Sequence, residues 1–469
     1  MPLKILITGA GIAGLSLAYN LSNAHQGNTE FQITIIERHP TLRTSGLQID
    51  LRGHGIDVLK RMGLEKQFRE YSIDEKGLAF VDSSGRSRAF FGAGKADKDS
   101  SNGVQGFSTD WEIMRGDLCN LFYGGLKGRA KGNTEVRFGV WVVAMEDKGG
   151  EEGEGVKVRF SDGKEEVFDL VVGADGIGSR TRRLMFGSPS SSQAALSKAD
   201  PSSTPSTDPF VHSLGVYIGY FTVASPIPTQ SSTTKGSIDP YIAQIYLSTA
   251  RRILFTRRHS PQRYQVYIIL RTDHPRMVSA VRGDVLEEKA GMAEVLSGAG
   301  WKANEIISLM HAAEDFYCDH LGVVRLDTWS QGAIGLVGDA AYAPSATTGM
   351  GTSSSVVGGY VLAGEILKYC SSTDSGSESG RKKRENIQQA LKSYENIFRP
   401  FMSNVQEGIY RDSSYWDKIP SSWVGVALVN LVLGIVSFFR LDVVANYLLR
   451  EQAVTGWKLP IYEGLDRMG

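Results

Sequence analysis

The residues best placed to do chemistry in this chain sit in three glycine-centred stretches. Gly9-Ala-Gly11-Ile-Ala-Gly14 follows the apolar run Lys4-Ile-Leu-Ile-Thr8 and leads into a helix-forming segment. In such a turn Gly9 permits the tight reversal, Gly11 lets the backbone approach a pyrophosphate, and Gly14 lets the helix lie close to the sheet with its N-terminus facing the phosphates. Glu37 ends the next apolar run, Gln32–Ile36, where a carboxylate accepts the hydroxyl donors of a ribose, and Arg38 beside it is counted with the cofactor-binding residues. The glycine spacing alone is a weak signal that a structural turn also satisfies. The order strand, glycines, helix, strand, acid specifies a dinucleotide site, and NAD and FAD both fit it.

The other two stretches are Gly173-Ala-Asp175-Gly176 and Gly335-Leu-Val-Gly338-Asp339, the latter followed ten residues on by Gly349-Met-Gly351-Thr352. Asp339 alone reads equally well as a helix N-cap. Asp175 reads equally as packing of its own turn. These residues need elements that hold them together. Residues 3–37 read as strand, helix (about Ala13–Asn23) and strand, a βαβ unit of the expected size. A helix is expected around Ile56–Met62, short antiparallel strands over 77–107, a helix over Trp111–Tyr123, and strands over Val136–Val172 broken by the acidic turn Lys148–Gly155. The β-branched and aromatic runs 210–224, 241–257 and 264–272 predict most of a second sheet. Val356–Tyr369 reads as a helix, and the chain after the polar segment Ser371–Lys383 reads as helical.

Together the three motifs resemble the FAD-dependent monooxygenases of the para-hydroxybenzoate hydroxylase type, with the tetracycline-degrading monooxygenases and their fungal and actinobacterial relatives as the nearest pattern. The likeness covers roughly residues 3–185 and 320–370. It implies an α/β fold: a Rossmann-type FAD-binding domain from 1–76, 108–187 and 320–370, and a β-sheet substrate domain from 77–107 and 188–319. The Ser- and Pro-rich 188–209 is then a mobile insertion, 371–383 a linker and 384–469 a helical C-terminal extension. By the same resemblance Asp339 binds the ribityl chain, Gly349, Gly351 and Thr352 lay backbone amides against the flavin ring, Asp50 and Arg115 belong to the flavin site, and Arg43 meets NADPH. Tyr217 and Tyr220, on the first long strand of the substrate sheet, are the candidate substrate contacts. The implied reaction consumes NADPH or NADH and O2, and inserts one oxygen atom into a small organic, secondary-metabolite-like substrate through a flavin hydroperoxide. Hydroxylation, epoxidation and Baeyer–Villiger insertion stay open. So do a flavin-dependent dehydrogenase or reductase that does not use oxygen, and a non-catalytic membrane-associated flavoprotein. The chain departs from many relatives in having Tyr342 in place of His and Ala346 in place of Pro, and Tyr217 is followed by Ile218 where the aromatic hydroxylases often carry Arg.

Composition removes other classes. Lys plus Arg (51) equals Asp plus Glu (51) over 469 residues, and no basic run is interleaved with base-stacking aromatics, so nucleic acid is not an expected partner. Cys119, Cys318 and Cys370 are far apart, and the eight histidines show no metal-ligand spacing, so neither a disulfide framework nor a metal is expected. A first core strand beginning at Lys4 leaves no room for a signal peptide, and a cytoplasmic protein is expected. The uncharged run Trp423–Phe439, with a second apolar stretch to Leu449, reads three ways: a helix packed on the body, an in-plane membrane contact through 423–449, or a span at the short limit of ~20 residues.

Overall fold

The computed structural model describes residues 2–24, 31–44, 46–73, 75–92, 111–129, 133–149, 155–187, 208–225, 239–344, 348–371, 379–411, 413–439 and 456–466. Residues 188–207 of the expected insertion 188–209, Ala346, most of the linker, and the apolar stretch 440–449 lie outside them.

A six-stranded sheet forms the first layer, in the order 330–331, 334–336, 170–173, 3–8, 31–37, 134–138. Its inner strands are parallel, with Ile5 opposite both Leu170 and Ile33. Such strands are covered on both faces, which is why they read as unbroken apolar runs. The helix Ile12–Ser22 crosses from the first strand and is buried along Ala13–Leu21, wedged against the helix Gly351–Cys370. The latter is itself buried from Ser353 to Leu367.

A seven-stranded sheet runs 317–324, 211–224, 263–271, 252–260, 242–248, 77–81, 87–92. Helices Val285–Leu296 and Ala303–Ala312, which the sequence reading did not separate from this β-rich region, cover one face with Met292, Leu296, Ile306 and Met310. The run 241–257 is two strands, because Ala250 and Arg251 turn the chain with φ of 56° and 55°. Neither residue type advertises that conformation. Trp111–Met114 is likewise not helical: Glu112–Met114 pairs antiparallel with Gln48–Asp50, and the helix begins at Arg115.

The apolar run becomes the helix Trp423–Phe438, seated on the edge strand 87–92. Val426, Val429, Leu433 and Val436 pack on Leu78, Phe80 and Phe91, and Ser437 Oγ accepts from the Phe90 N–H (2.9 Å) and donates to its carbonyl (2.8 Å). The opposite face stays open, with Leu428 59%, Leu431 61% and Phe438 81% exposed. Among the described residues no helix is long and apolar enough to cross a membrane. The C-terminus is not wholly helical. Residues 456–466 run as a strap over two helices: Trp457 Nε1 donates to Ile397 O (2.8 Å) on the helix Ser379–Arg411, and Tyr462 Oη donates to the buried Glu365 (2.8 Å) on Gly351–Cys370.

Candidate active site

Gly9 adopts φ 104°, and its N–H donates to Ile36 O at 2.7 Å, tying the turn to the second strand. A Cβ at Gly9 would lie 2.6 Å from Ala174 O, and one at Gly14 only 2.1 Å from Gly9 O. Both positions therefore exclude side chains. Gly11 caps the helix Ile12–Ser22 with no side-chain acceptor, so the first-turn amides keep their donors for a ligand. Glu37 accepts from Ala10 N (3.0 Å) and His39 N (2.9 Å), which fixes the carboxylate beside the turn and leaves it further acceptor capacity. Arg38 is exposed next to it.

Arg115 comes from the far side of the same groove. Its own N–H bonds Leu47 O (2.9 Å), its stem packs on Gly46, and its guanidinium lies 3.7 Å from the Cβ position of Gly11. Arg115 Nη1 is buried with no hydrogen-bond partner among the described residues. A buried, unsatisfied cationic donor costs free energy unless something anionic meets it. An uncapped helix N-terminus, a ribose-height carboxylate and this donor converge on one groove, and they fit the pyrophosphate and ribose of FAD.

The third motif supplies the next part. Gly338 holds φ 68° with Ala13 Cβ 2.7 Å from where its own Cβ would be, so Asp339 is delivered against the first helix. Asp339 is only partly open, and its carboxylate has no hydrogen-bond partner among the described residues. Desolvation raises its pKa to about 6, helped by the Asp319 charge and opposed by Arg282, Arg115 and Arg182. Gly349 (φ 62°) lies against the Arg52 guanidinium, 3.3 Å from its Cβ position. Gly351 opens the helix Gly351–Cys370 with nothing within 4 Å of its Cβ position, the Met350 N-cap makes no side-chain bond, and Thr352 is half-buried at this second helix N-terminus. Asp50 pairs directly with Arg52, whose N–H bonds Ser353 Oγ (2.8 Å), so this pair borders the same turn.

Facing these groups is the side of the seven-stranded sheet away from its helices. Tyr220 stacks near Tyr317 (ring centroids 5.2 Å) and Tyr267 (6.4 Å), and the Arg43 guanidinium lies 4.2 Å from the Tyr317 ring centroid. Arg282 donates to Tyr317 Oη (3.1 Å) and to Asp319. Burial pushes the Tyr220 phenol well up and that of Tyr267 to about 12, so both are neutral donors. A buried network anchors this face to the flavin layer: Gln48 N donates to Tyr267 Oη (3.1 Å), Gln265 Nε2 to Gly46 O (2.9 Å), and Arg257 bridges Glu75 and Glu112. Burial raises the Glu112 pKa, opposed by Arg257 and assisted by Glu75.

Tyr217 does not join Tyr220. Residues three apart on a strand point to opposite faces, and Tyr217 packs under the helices with its ring 4.9 Å from His320. Tyr217 therefore lies on the face of the sheet opposite Tyr220. Asp175 is likewise committed to its own turn, accepting from Ser179 Oγ (2.5 Å), Arg180 N (2.8 Å) and Thr181 N (3.0 Å). Tyr342 points into the core, with its hydroxyl 3.1 Å from that of Tyr394 and its ring against Trp329 and Phe398. Tyr267, Tyr317, Asp319 and Arg282 escaped the sequence reading. Tyr317 and Asp319, two apart in a short apolar run just before the third motif, were the one available signal.

A discontinuous parallel sheet with a dinucleotide groove, set against a second sheet with an aromatic and cationic face, defines a flavin-binding oxidoreductase. The FAD binding domain family model matches residues 2–194. The FAD-dependent monooxygenase asL4 of Sarocladium schorii is 40% identical over 465 residues, covering 99% of each chain. The flavin-dependent monooxygenase eupH of Phoma sp is 33% identical, covering 92% of this chain and 91% of its own. Among solved structures, tetracycline destructase Tet(55) superposes with a TM-score of 0.68 at 24% identity over 98% of this chain and 99% of its own. Klebsiella pneumoniae HpxO complexed with FAD and uric acid gives 0.62 at 16% identity over 95% and 96%. The chain belongs to the FAD-dependent monooxygenases.

Proposed function

We propose that this FAD-dependent monooxygenase draws its electrons from NAD(P)H and oxygenates a small organic substrate of secondary metabolism. That substrate is held between the ring end of the flavin groove and the Tyr220–Tyr317 face. The observation carrying this reading is the buried Arg115 Nη1, without a hydrogen-bond partner among the described residues, beside the uncapped turn at Gly11, with Tyr220 and Tyr317 near enough to interact with its charge. The chemistry supplied by bound FAD is activation of O2 and transfer of one oxygen atom to the substrate.

The chain's own residues do the rest. The amides at Gly11 and Ile12 with Arg115 hold the pyrophosphate, Glu37 with Arg38 at its side takes the adenosine ribose, and Asp339, ionised above about pH 6, accepts from ribityl hydroxyls. Amides at Gly349–Thr352, at the positive end of a helix, stabilise negative charge at the pyrimidine end of the ring, with Asp50–Arg52 holding that turn. Tyr220, Tyr267 and Tyr317 give the substrate an aromatic wall that excludes water, and Arg43 offers a cation to the transiently bound nicotinamide nucleotide.

The test is a single-turnover assay of the FAD-loaded protein with NADPH or NADH, isotopically labelled O2 and fractionated extracts of small organic metabolites. One labelled oxygen atom in a product, with nucleotide oxidation stimulated by the same fraction, is expected. Substrate-stimulated nucleotide oxidation without oxygen consumption would overturn it.

A further inference from the structure

The face of strand 317–324 turned away from the flavin groove carries a second constellation. Cys318 and His320, two apart, share that face, and the helix Val285–Leu296 lies over them and contributes Glu288 from its first turn. Glu288 and Cys318 are buried, with side-chain exposure of 1% for Glu288 and 23% for His320. One oxygen of Glu288, the Cys318 sulfur and a ring nitrogen of His320 all lie within 4.8 Å of one another.

Packing explains this trio poorly. A carboxylate with its side chain almost wholly out of water requires compensation, and among the described residues Glu288 Oε1 has the Gly283 N–H (3.0 Å) and His320 Nε2 (3.2 Å). The thiol adds no charge, since burial holds it protonated. Tyr217 closes one side, its ring edge-on to the imidazole at 4.9 Å between centroids, and orients the ring. Of the three, His320 is the one that reaches solvent.

We propose that Glu288, Cys318 and His320 form a binding site for a single zinc ion. Sulfur, nitrogen and oxygen donors together match a borderline divalent ion, not magnesium or calcium, which take oxygen ligands. Zinc bonds of about 2.0–2.3 Å place tetrahedral donors roughly 3.3–3.8 Å apart, so the trio closes onto the ion by about an ångström. The fourth position faces the solvent side of His320 and takes water. On binding, the Cys318 S–H bond breaks, the sulfur lone pair forms the bond to zinc, and the proton leaves to solvent. The ion clamps the helix Val285–Leu296 onto the strand whose other face presents Tyr317 and Asp319, so it stiffens the substrate wall from behind. This site stands independently of the flavin assignments.

The experiment uses the full-length, FAD-loaded protein, stripped with a chelator and dialysed. Zinc is titrated against a competing chromophoric chelator, and cobalt is added separately and read as a difference spectrum against the zinc-loaded protein. One zinc per chain is expected, with a raised melting temperature and a near-ultraviolet thiolate-to-cobalt band. His320→Gln, at the open edge of the site, and Cys318→Ser should each weaken zinc binding at least about tenfold, and Cys318→Ser should abolish the cobalt band. Flavin content and circular dichroism report whether each variant is folded; if Cys318→Ser is not, His320→Gln and the wild-type cobalt band decide. Zinc affinity equal in wild type and His320→Gln, no stoichiometric zinc, or cobalt bound without the thiolate band overturns the proposal.

Discussion

Replacing Asp339 by Asn separates the cost of this carboxylate from its use. Its pKa is raised from 3.8 to about 6, chiefly by desolvation, so the charged form is disfavoured in the folded apoprotein. A folded-state pKa above the unfolded value means that the folded state binds the proton more tightly. The penalty is absent below about pH 4, grows as pH rises through the interval, and is complete above about pH 6. A tenfold change in a protonation constant is worth about 1.4 kcal/mol, so the full penalty is about 3 kcal/mol at pH 8 and roughly half that at pH 5. Asn carries no charge at either pH. Denaturant unfolding of flavin-free protein should therefore show Asp339→Asn more stable than wild type at pH 8, with the gap shrinking by about half at pH 5. FAD affinity should move the other way, because an amide offers one acceptor where the carboxylate offers two. A variant no more stable than wild type at pH 8, or a gap that ignores pH, would refute the claim that Asp339 is a desolvated charge held for a ligand.

Arg115→Ala should weaken FAD binding by about tenfold to a hundredfold, the worth of a charged hydrogen bond of ~1.5–3 kcal/mol, read by flavin fluorescence; unchanged affinity would remove Arg115 from the pyrophosphate. Arg43→Ala should raise the KM for NAD(P)H with FAD content unchanged, and parallel loss of both would place Arg43 in the flavin shell. Tyr462→Phe strips the hydroxyl from the buried Glu365 and should destabilise the fold by ~1–3 kcal/mol, whereas wild-type unfolding would show the strap to be dispensable. Leu428→Ser with Leu431→Ser, on the open face of Trp423–Phe438, should reduce self-association or vesicle binding without lowering FAD content; loss of flavin would show that this helix supports the cofactor site.

What could be read from sequence follows the range of the interactions. The turn from Gly9 to Gly14 and its acid at Glu37 are legible because their main requirements are met within one βαβ unit: a Gly9 N–H bonded to Ile36 O at 2.7 Å, a glycine at 14 where Gly9 O leaves 2.1 Å, and a carboxylate ending the next strand. Tyr317 and Asp319 leave only the faint signal of their two-residue spacing, because they join Tyr220 only when strand 317–324 pairs with 211–224, about a hundred residues away, and that pairing is written in ordinary β-branched and aromatic residues. The same limit explains Tyr217, whose face follows from the parity of one long strand. It also changes the meaning of the C-terminus. An apolar run ending near Phe439 invites the thought that everything beyond Pro420 is an appendage, yet Trp457, Tyr462 and Leu465 return to the core, with Trp457 on the helix Ser379–Arg411 and Tyr462 against the helix that starts at Gly351. A Cβ at Gly364 would meet the Tyr462 ring at 2.3 Å, so that helix is cut to fit the strap. Truncation after Pro420 should therefore disturb the flavin turn from below, an outcome the order of motifs along the chain gave no reason to expect.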